Sequence, residues 1–137
     1  MKNFPLKIVT PDGPRFDGKV QELIIRTTSG DLGILAGHTN CVAPLGMGRA
    51  TVIQDDGKKI GACIGGVVSV MDGKVTVLAS TFEWADQIDM SRVENSENRA
   101  RSVLDDKTSS DTDVRLAEAR LKRALVRKSV AASYKER

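Results

Sequence analysis

Residues 72–93 read Asp72-Gly73-Lys74-Val75-Thr76-Val77-Leu78-Ala79-Ser80-Thr81-Phe82-Glu83-Trp84-Ala85-Asp86-Gln87-Ile88-Asp89-Met90-Ser91-Arg92-Val93. A turn-forming Asp-Gly pair comes first, then the Val75/Val77 alternation of a half-buried strand, then residues suited to a helix. Gly73 is the last of 12 glycines, which all lie between Gly13 and Gly73, and the four prolines all lie between Pro5 and Pro44. Glycine and proline punctuate turns and damage helix interiors, so the chain reads as a turn-rich β segment followed by a helical one. The boundary is expected between Thr81 and Ile88.

Upstream, Asp-Gly pairs at 12–13, 17–18, 56–57 and 72–73 sit beside short apolar stretches. Asp-Gly readily supplies the positive φ angles of tight hairpins. Phe4-Leu6-Ile8, Val20 with Leu23 and Ile25, Ala50-Val52 and Val75-Val77 show a period near two. Short strands at this spacing predict an antiparallel β-sandwich over residues 1–85. Downstream, the pattern predicts two helices, Ser91 to about Leu104 and about Asp113 to Tyr134, joined by a polar turn over 105–111 with capping residues at its exit. Their apolar stripes are thin: Val93, Ala100, Val103 and Leu104 on the first, Val114, Ala117, Leu121, Ala124 and Leu125 on the second. The fold class is therefore α+β, with an antiparallel two-helix hairpin over 86–137. Helices of this length and composition are marginal without tertiary support, so the hairpin is expected to be a mobile arm.

Composition narrows the possible functions. The chain has 137 residues, 28% charged and 40% hydrophobic, as expected for one domain or a small domain with an appendage. The uncharged, apolar-leaning stretch Gly61 to Met71 is far shorter than the roughly 20 residues a bilayer-spanning helix needs. Residues 1–11 show no apolar run with a cleavage site, which predicts a cytoplasmic chain. Cys41, Cys63 and the single His38, without a Cys-x-x-Cys pair, provide neither a disulfide framework nor a zinc ligand set. No glycine loop ends in Lys-Ser/Thr, no Gly-x-Ser-x-Gly elbow occurs, and neither cysteine has an evident base, so no catalytic residues are expected.

Charge is distributed unevenly. Residues 1–87 carry 9 basic and 9 acidic side chains, residues 88–112 carry 4 and 6, and residues 113–137 carry 8 and 3. The formal charge of +3 thus arises from a final helix of net +5. Such an excess fits an acidic protein surface, a phosphate-bearing ligand or nucleic acid. Nucleic acid is disfavoured by the neutral β segment and by an aromatic content of 4%, which leaves few platforms for stacking bases. A nucleotide sensor is a further alternative. Arg123 and Arg127 lie four apart with Arg120 before them, and like charges at that spacing repel unless an anion lies between them. In a folded-back hairpin the first helix's start, with Asp89 and Arg92, comes near the second helix's end. Guanidinium forks suit phosphate oxygens.

Four stretches together resemble a known family: Ile8-Val9-Thr10-Pro11-Asp12-Gly13; Gly30-Asp31-Leu32-Gly33-Ile34-Leu35-Ala36-Gly37-His38; Gly65-Gly66 followed by Val75-Thr76-Val77-Leu78-Ala79; and Ile88-Asp89-Met90-Ser91-Arg92. In order and spacing they resemble the epsilon subunit of bacterial F-type ATP synthases over nearly the whole chain. Departures are local. The family usually has proline at Ala36, alanine and proline at Thr39 and Asn40, an aromatic at Val67, and alanine at Phe82 and Val93.

The resemblance implies a non-catalytic rotor subunit of the proton-translocating enzyme, peripheral at the cytoplasmic face of the bacterial membrane and membrane-associated only through the complex. Its sandwich would bind the gamma stalk and rest on the c-ring, and its helices would either fold back or reach the alpha/beta catalytic head and impede ATP hydrolysis. It implies that Asp31, Gly37 and His38 face the c-ring. It further implies regulatory ATP binding by Ile88, Asp89, Arg92, Arg123 and Arg127, with looser matches at Glu83 and Arg99, and with Val93 adding bulk beside that pocket. No metal site and no cofactor other than regulatory ATP are expected. Leu32, Ile34 and Leu35, in the segment read as a loop over 30–40, could each be core or exposed.

Overall fold

The computed structural model describes residues 2–135; Met1 and the last two residues of the expected arm, 136 and 137, lie outside the described residues. Seven strands come first: β1 (Phe4–Thr10), β2 (Gly13–Val20), β3 (Glu22–Thr27), β4 (Gly30–Leu35), β5 (Cys41–Gln54), β6 (Gly57–Met71) and β7 (Lys74–Trp84). A 3₁₀ turn over Ala85–Gln87 and two helices, α1 (Met90–Asp105) and α2 (Asp111–Lys135), complete the chain. The β-sandwich followed by two helices agrees with the sequence expectation. Two compact units result, 1–84 and 85–137.

The strands form one hydrogen-bonded sheet in the order β2-β1-β7-β6-β5-β3-β4. Every pair is antiparallel except β1 with β7, which run parallel with Leu6 beside Val75 and Ile8 beside Val77. Short alternation could not reveal this pairing, because it joins the first strand to the last.

A single sheet becomes a two-layered sandwich because its three long strands change their inward face partway along. In β6 the core takes Cys63 before Gly65-Gly66 and Val68 and Val70 after it. In β7 it takes Val75, Val77 and Ala79, then Phe82 and Trp84; in β5 it takes Leu45, then Ala50 and Val52. Residues on one face of a strand share parity, so each of these strands switches face once. The switches are neighbours in the sheet, since Gly66 pairs with Leu45 on one side and Ala79 on the other.

Glycine is required at the crossing. Gly65 and Gly66 have φ of +73° and +117°, where side chains are strained. A methyl on Gly66 would sit 2.0 Å from the Leu78 carbonyl oxygen. Opposite Arg26, β5 accommodates the change with extra residues over 46–49. The closed core contains Leu6, Ile8, Leu23, Ile25, Ile34 and Val77, all with no exposed surface.

Three of the four Asp-Gly pairs make turns, at β1–β2, β5–β6 and β6–β7, whereas Asp17-Gly18 lies inside β2. The β3–β4 turn uses Thr27 instead, whose hydroxyl donates to the Gly30 carbonyl and accepts from the Ser29 amide. The segment read as a loop over 30–40 is a strand up to Leu35. Its alternation resolves the three undecided side chains: Ile34 is fully buried, Leu32 packs at the core's margin and Leu35 is exposed. Phe82 is accommodated because Gly61 on the adjacent strand has no side chain; a methyl there would meet the ring at 2.5 Å. The Phe82 ring meets Trp84 edge to face at 4.8 Å, and the Trp84 Nε1–H donates to the Arg15 carbonyl.

Candidate functional site

Three surfaces are built by this framework. The first is on the outward side of the sheet. Pro44 pairs with Val67, Val67 with Leu78, and Leu78 with Val9, so these four side chains form one row across β5, β6, β7 and β1. Pairs in register point to the same face, and this face is opposite the core residues Val68 and Val77. Leu78 is 52% exposed, and Val42, in the adjoining row, is 64% exposed. The row has no charged member. The sequence reading did not single these residues out as a surface, since an apolar row running across strands becomes visible only when register is known.

The second surface lies around residues 36–40 and the β6–β7 turn. Gly37 has φ of +85° and the His38 amide donates to the Leu35 carbonyl, so the chain reverses tightly after β4. His38 Nδ1 lies 2.8 Å from the Thr39 carbonyl, which holds the ring against its own loop. Asp72, the one described non-glycine residue with positive φ, donates its amide to Asn40 Oδ1 at 2.8 Å. The loop is thereby tied to the turn. Asp31, on β4, pairs with Arg26 of β3 at 2.9 Å, and both side chains remain about half exposed. No group of three or more potential ligands among the described residues could hold a metal ion.

The third surface is the helical unit. Asp89 is the N-cap of α1, accepting the amides of Ser91 and Arg92 on Oδ1 at 3.0 and 3.3 Å, and Ser110 accepts the Asp113 amide at the start of α2. Asp106 takes the Thr108 hydroxyl and amide, which hold its carboxyl below the ordinary range. Arg92 and Arg99 are exposed on α1, Ile88 is half-buried before it, and Arg123 and Arg127 are half-buried one turn apart on α2. Glu83 is half-buried near the end of β7.

Glu97 lies between the helices and was missed in the sequence reading. It is 8% exposed, the single buried charged side chain among the described residues. Lys128 of α2 donates to its Oε1 at 3.1 Å, and Arg101, one turn along α1, reaches Oε2 at 2.9 Å. The spacing Val93, Glu97, Ala100 could have flagged it as the polar member of a buried stripe. Because Glu97 faces Lys128, antiparallel counting sets Arg127 opposite residue 98 and Arg123 opposite residue 102. Arg92 therefore lies about 9 and 15 Å along the axis from those levels.

No helix among the described residues is long and apolar enough to cross a membrane. Two family models match in succession: ATP synthase, Delta/Epsilon chain, beta-sandwich domain over residues 3–85, and ATP synthase, Delta/Epsilon chain, long alpha-helix domain over residues 86–132. The chain belongs to the ATP synthase delta/epsilon chain family. The ATP synthase epsilon chain of Bacillus velezensis is 43% identical over 131 residues, 96% of this chain and 98% of that one. A chain of the Euglena gracilis mitochondrial ATP synthase, in its OSCP/F1/c-ring assembly, superposes with a TM-score of 0.81 at 23% identity, covering 93% of this chain and 80% of that one. A chain of the Tetrahymena thermophila mitochondrial ATP synthase central stalk/c-ring superposes at 0.61 with 15% identity, covering 95% and 97%. At those identities the likeness is one of fold. As an epsilon-type chain, this is an accessory subunit and not the catalytic one.

The Glu97 environment sets a pH response. Hydrogen bonds from Lys128 and then Arg101 hold its carboxyl below the ordinary range, so the carboxylate favours the folded helical unit at neutral pH. A depressed folded-state value means that this contribution is present above the unfolded value and is lost as pH falls through the folded one. Amide exchange in α1 and α2, corrected for intrinsic rates, is expected to be flat from pH 7 to 5 and to accelerate below about pH 4. The Glu97→Gln variant should lose most of that dependence.

Proposed function

We propose that this epsilon-type chain is a central-stalk rotor subunit of a proton-translocating ATP synthase. Its sandwich binds the gamma stalk and rests on the c-ring, and its helices restrain ATP hydrolysis. It would act peripherally, at the cytoplasmic face of a bacterial membrane, without contacting nucleic acid. The observation that carries this reading is the outward row Val9, Leu78, Val67 and Pro44. An apolar row exposed on a neutral sandwich is suited to a protein partner, for which we take the gamma stalk that the family resemblance implies. The tied loop with Asp31, Gly37 and His38 is the polar rim offered to the c-ring. Replacing Leu78 with Asp should weaken binding to gamma at least about tenfold, as for the centre of an apolar interface, without lowering the sandwich's melting temperature. Undiminished binding would reject the row as the gamma contact.

The helical unit supports the inhibitory part of the reading. Its second helix and tail carry the chain's positive excess, suited to an acidic surface on the alpha/beta head. Assembled enzyme carrying residues 1–87 alone should hydrolyse ATP several-fold faster than enzyme with the full chain. An equal rate would remove the inhibitory role.

Regulatory ATP binding is supported by the cations along the two helices. Ile88 and Arg92 flank the Asp89 cap, and Arg123 and Arg127 share one side of α2. Their staggered levels suit an elongated anion such as a nucleoside triphosphate better than a lone phosphate. Millimolar ATP should slow amide exchange in both helices of the isolated chain, and Arg127→Ala should abolish that protection. Absence of protection in the unmodified chain would reject the site.

A further inference from the structure

The buried stripe of α1 is Val93, Glu97 and Ala100, and the buried residues of α2 are Ala117, Ala124, Val130 and Ala131. Small apolar groups of this kind can slide past one another by a turn with little change in packing. A carboxylate among them cannot, because a shift of one turn, about 5.4 Å, would part it from Lys128, the cross-helix cation that donates to it. We infer that Glu97 and Lys128 form a releasable register pin, which selects one alignment of the helices while keeping their closure marginal. The inference rests on the reading of the helices as a switching arm, and its first readout needs only the isolated chain.

The physics has two parts. Charged pairs removed from water recover little net energy relative to well-packed apolar residues, yet losing one partner of such a pair is costly. Their best-attested use is to fix register. Both cations here stay wet, with the Lys128 and Arg101 side chains 47% and 52% exposed, so either can return to solvent when the pair breaks. Glu97 alone is deeply placed. A leucine there would fill the stripe and leave no buried charge behind.

Two variants should therefore shift the hairpin in opposite directions. In the full-length isolated chain, Lys128→Ala leaves Glu97 with Arg101 alone, and amide exchange in α1 and α2 should accelerate about fivefold or more. Glu97→Leu should slow the same amides by a similar factor and remove their salt dependence. Arg101→Gln, which leaves the cross-helix contact intact, should change exchange less than twofold. Exchange in the sandwich should stay unchanged throughout and reports that each variant is folded. Faster exchange in Glu97→Leu, or unchanged exchange in Lys128→Ala, would overturn the pin. In assembled enzyme, Glu97→Leu should also weaken inhibition of hydrolysis; slowed exchange with unchanged hydrolysis would leave the pin standing and count against the inhibitory arm.

Discussion

The sandwich depends on a backbone crossing that only glycine permits. Gly65 and Gly66 carry β6 through positive φ, the neighbouring strand leaves no room for a Cβ atom at Gly66, and the inward-facing residues change parity there. Without that change, Val68 and Val70 would point outward whenever Cys63 pointed inward. The outward apolar row is the other consequence of the same crossing, because Val67 and Leu78 face out only as Val68 and Val77 face in. Core and outward row are thus set by one local geometry.

Much of this was legible in the sequence because the decisive signals are short-range. Loss of glycine after Gly73 separated a β segment from a helical one, and the alternation of Phe4-Leu6-Ile8 and Val75-Val77 named true core positions. The parallel pairing of β1 with β7 was hidden because it joins residues nearly seventy positions apart. Asp17-Gly18 misled for the opposite reason. An Asp-Gly pair permits a turn without requiring one, and pairing of Asp17 with Lys7 and Gly18 with Leu6 keeps it in β2.

For the surfaces, the sequence supplied residue types without their partners. Asp89 was legible as part of a motif, but its capping role follows from the Ser91 and Arg92 amides that converge on one oxygen. Leu125 was assigned to the buried stripe and is 42% exposed, while Val130 and Ala131 take buried places further along. The error is one of phase: a stripe of period 3.6 drifts around a long helix, and the register that corrects it is fixed across the hairpin. Glu97 escaped notice because a glutamate on a charged helix is ordinarily solvated, and only Lys128, 31 residues later, shows that it faces inward.

The two units also differ in how firmly their residues are held. The sandwich buries whole Leu, Ile, Val, Phe and Trp side chains, each favouring the folded state by roughly 1.5–3 kcal/mol for the aliphatic ones and phenylalanine. The helices bury mainly alanine and valine, whose smaller apolar areas contribute less per residue, and they add one charged pair in place of a large apolar contact. Opening free energies follow buried apolar contact, so fluctuations concentrate in the helices while the sheet stays closed. The divide between them falls at Trp84–Ala85, where the strand ends and glycine-free helical sequence takes over.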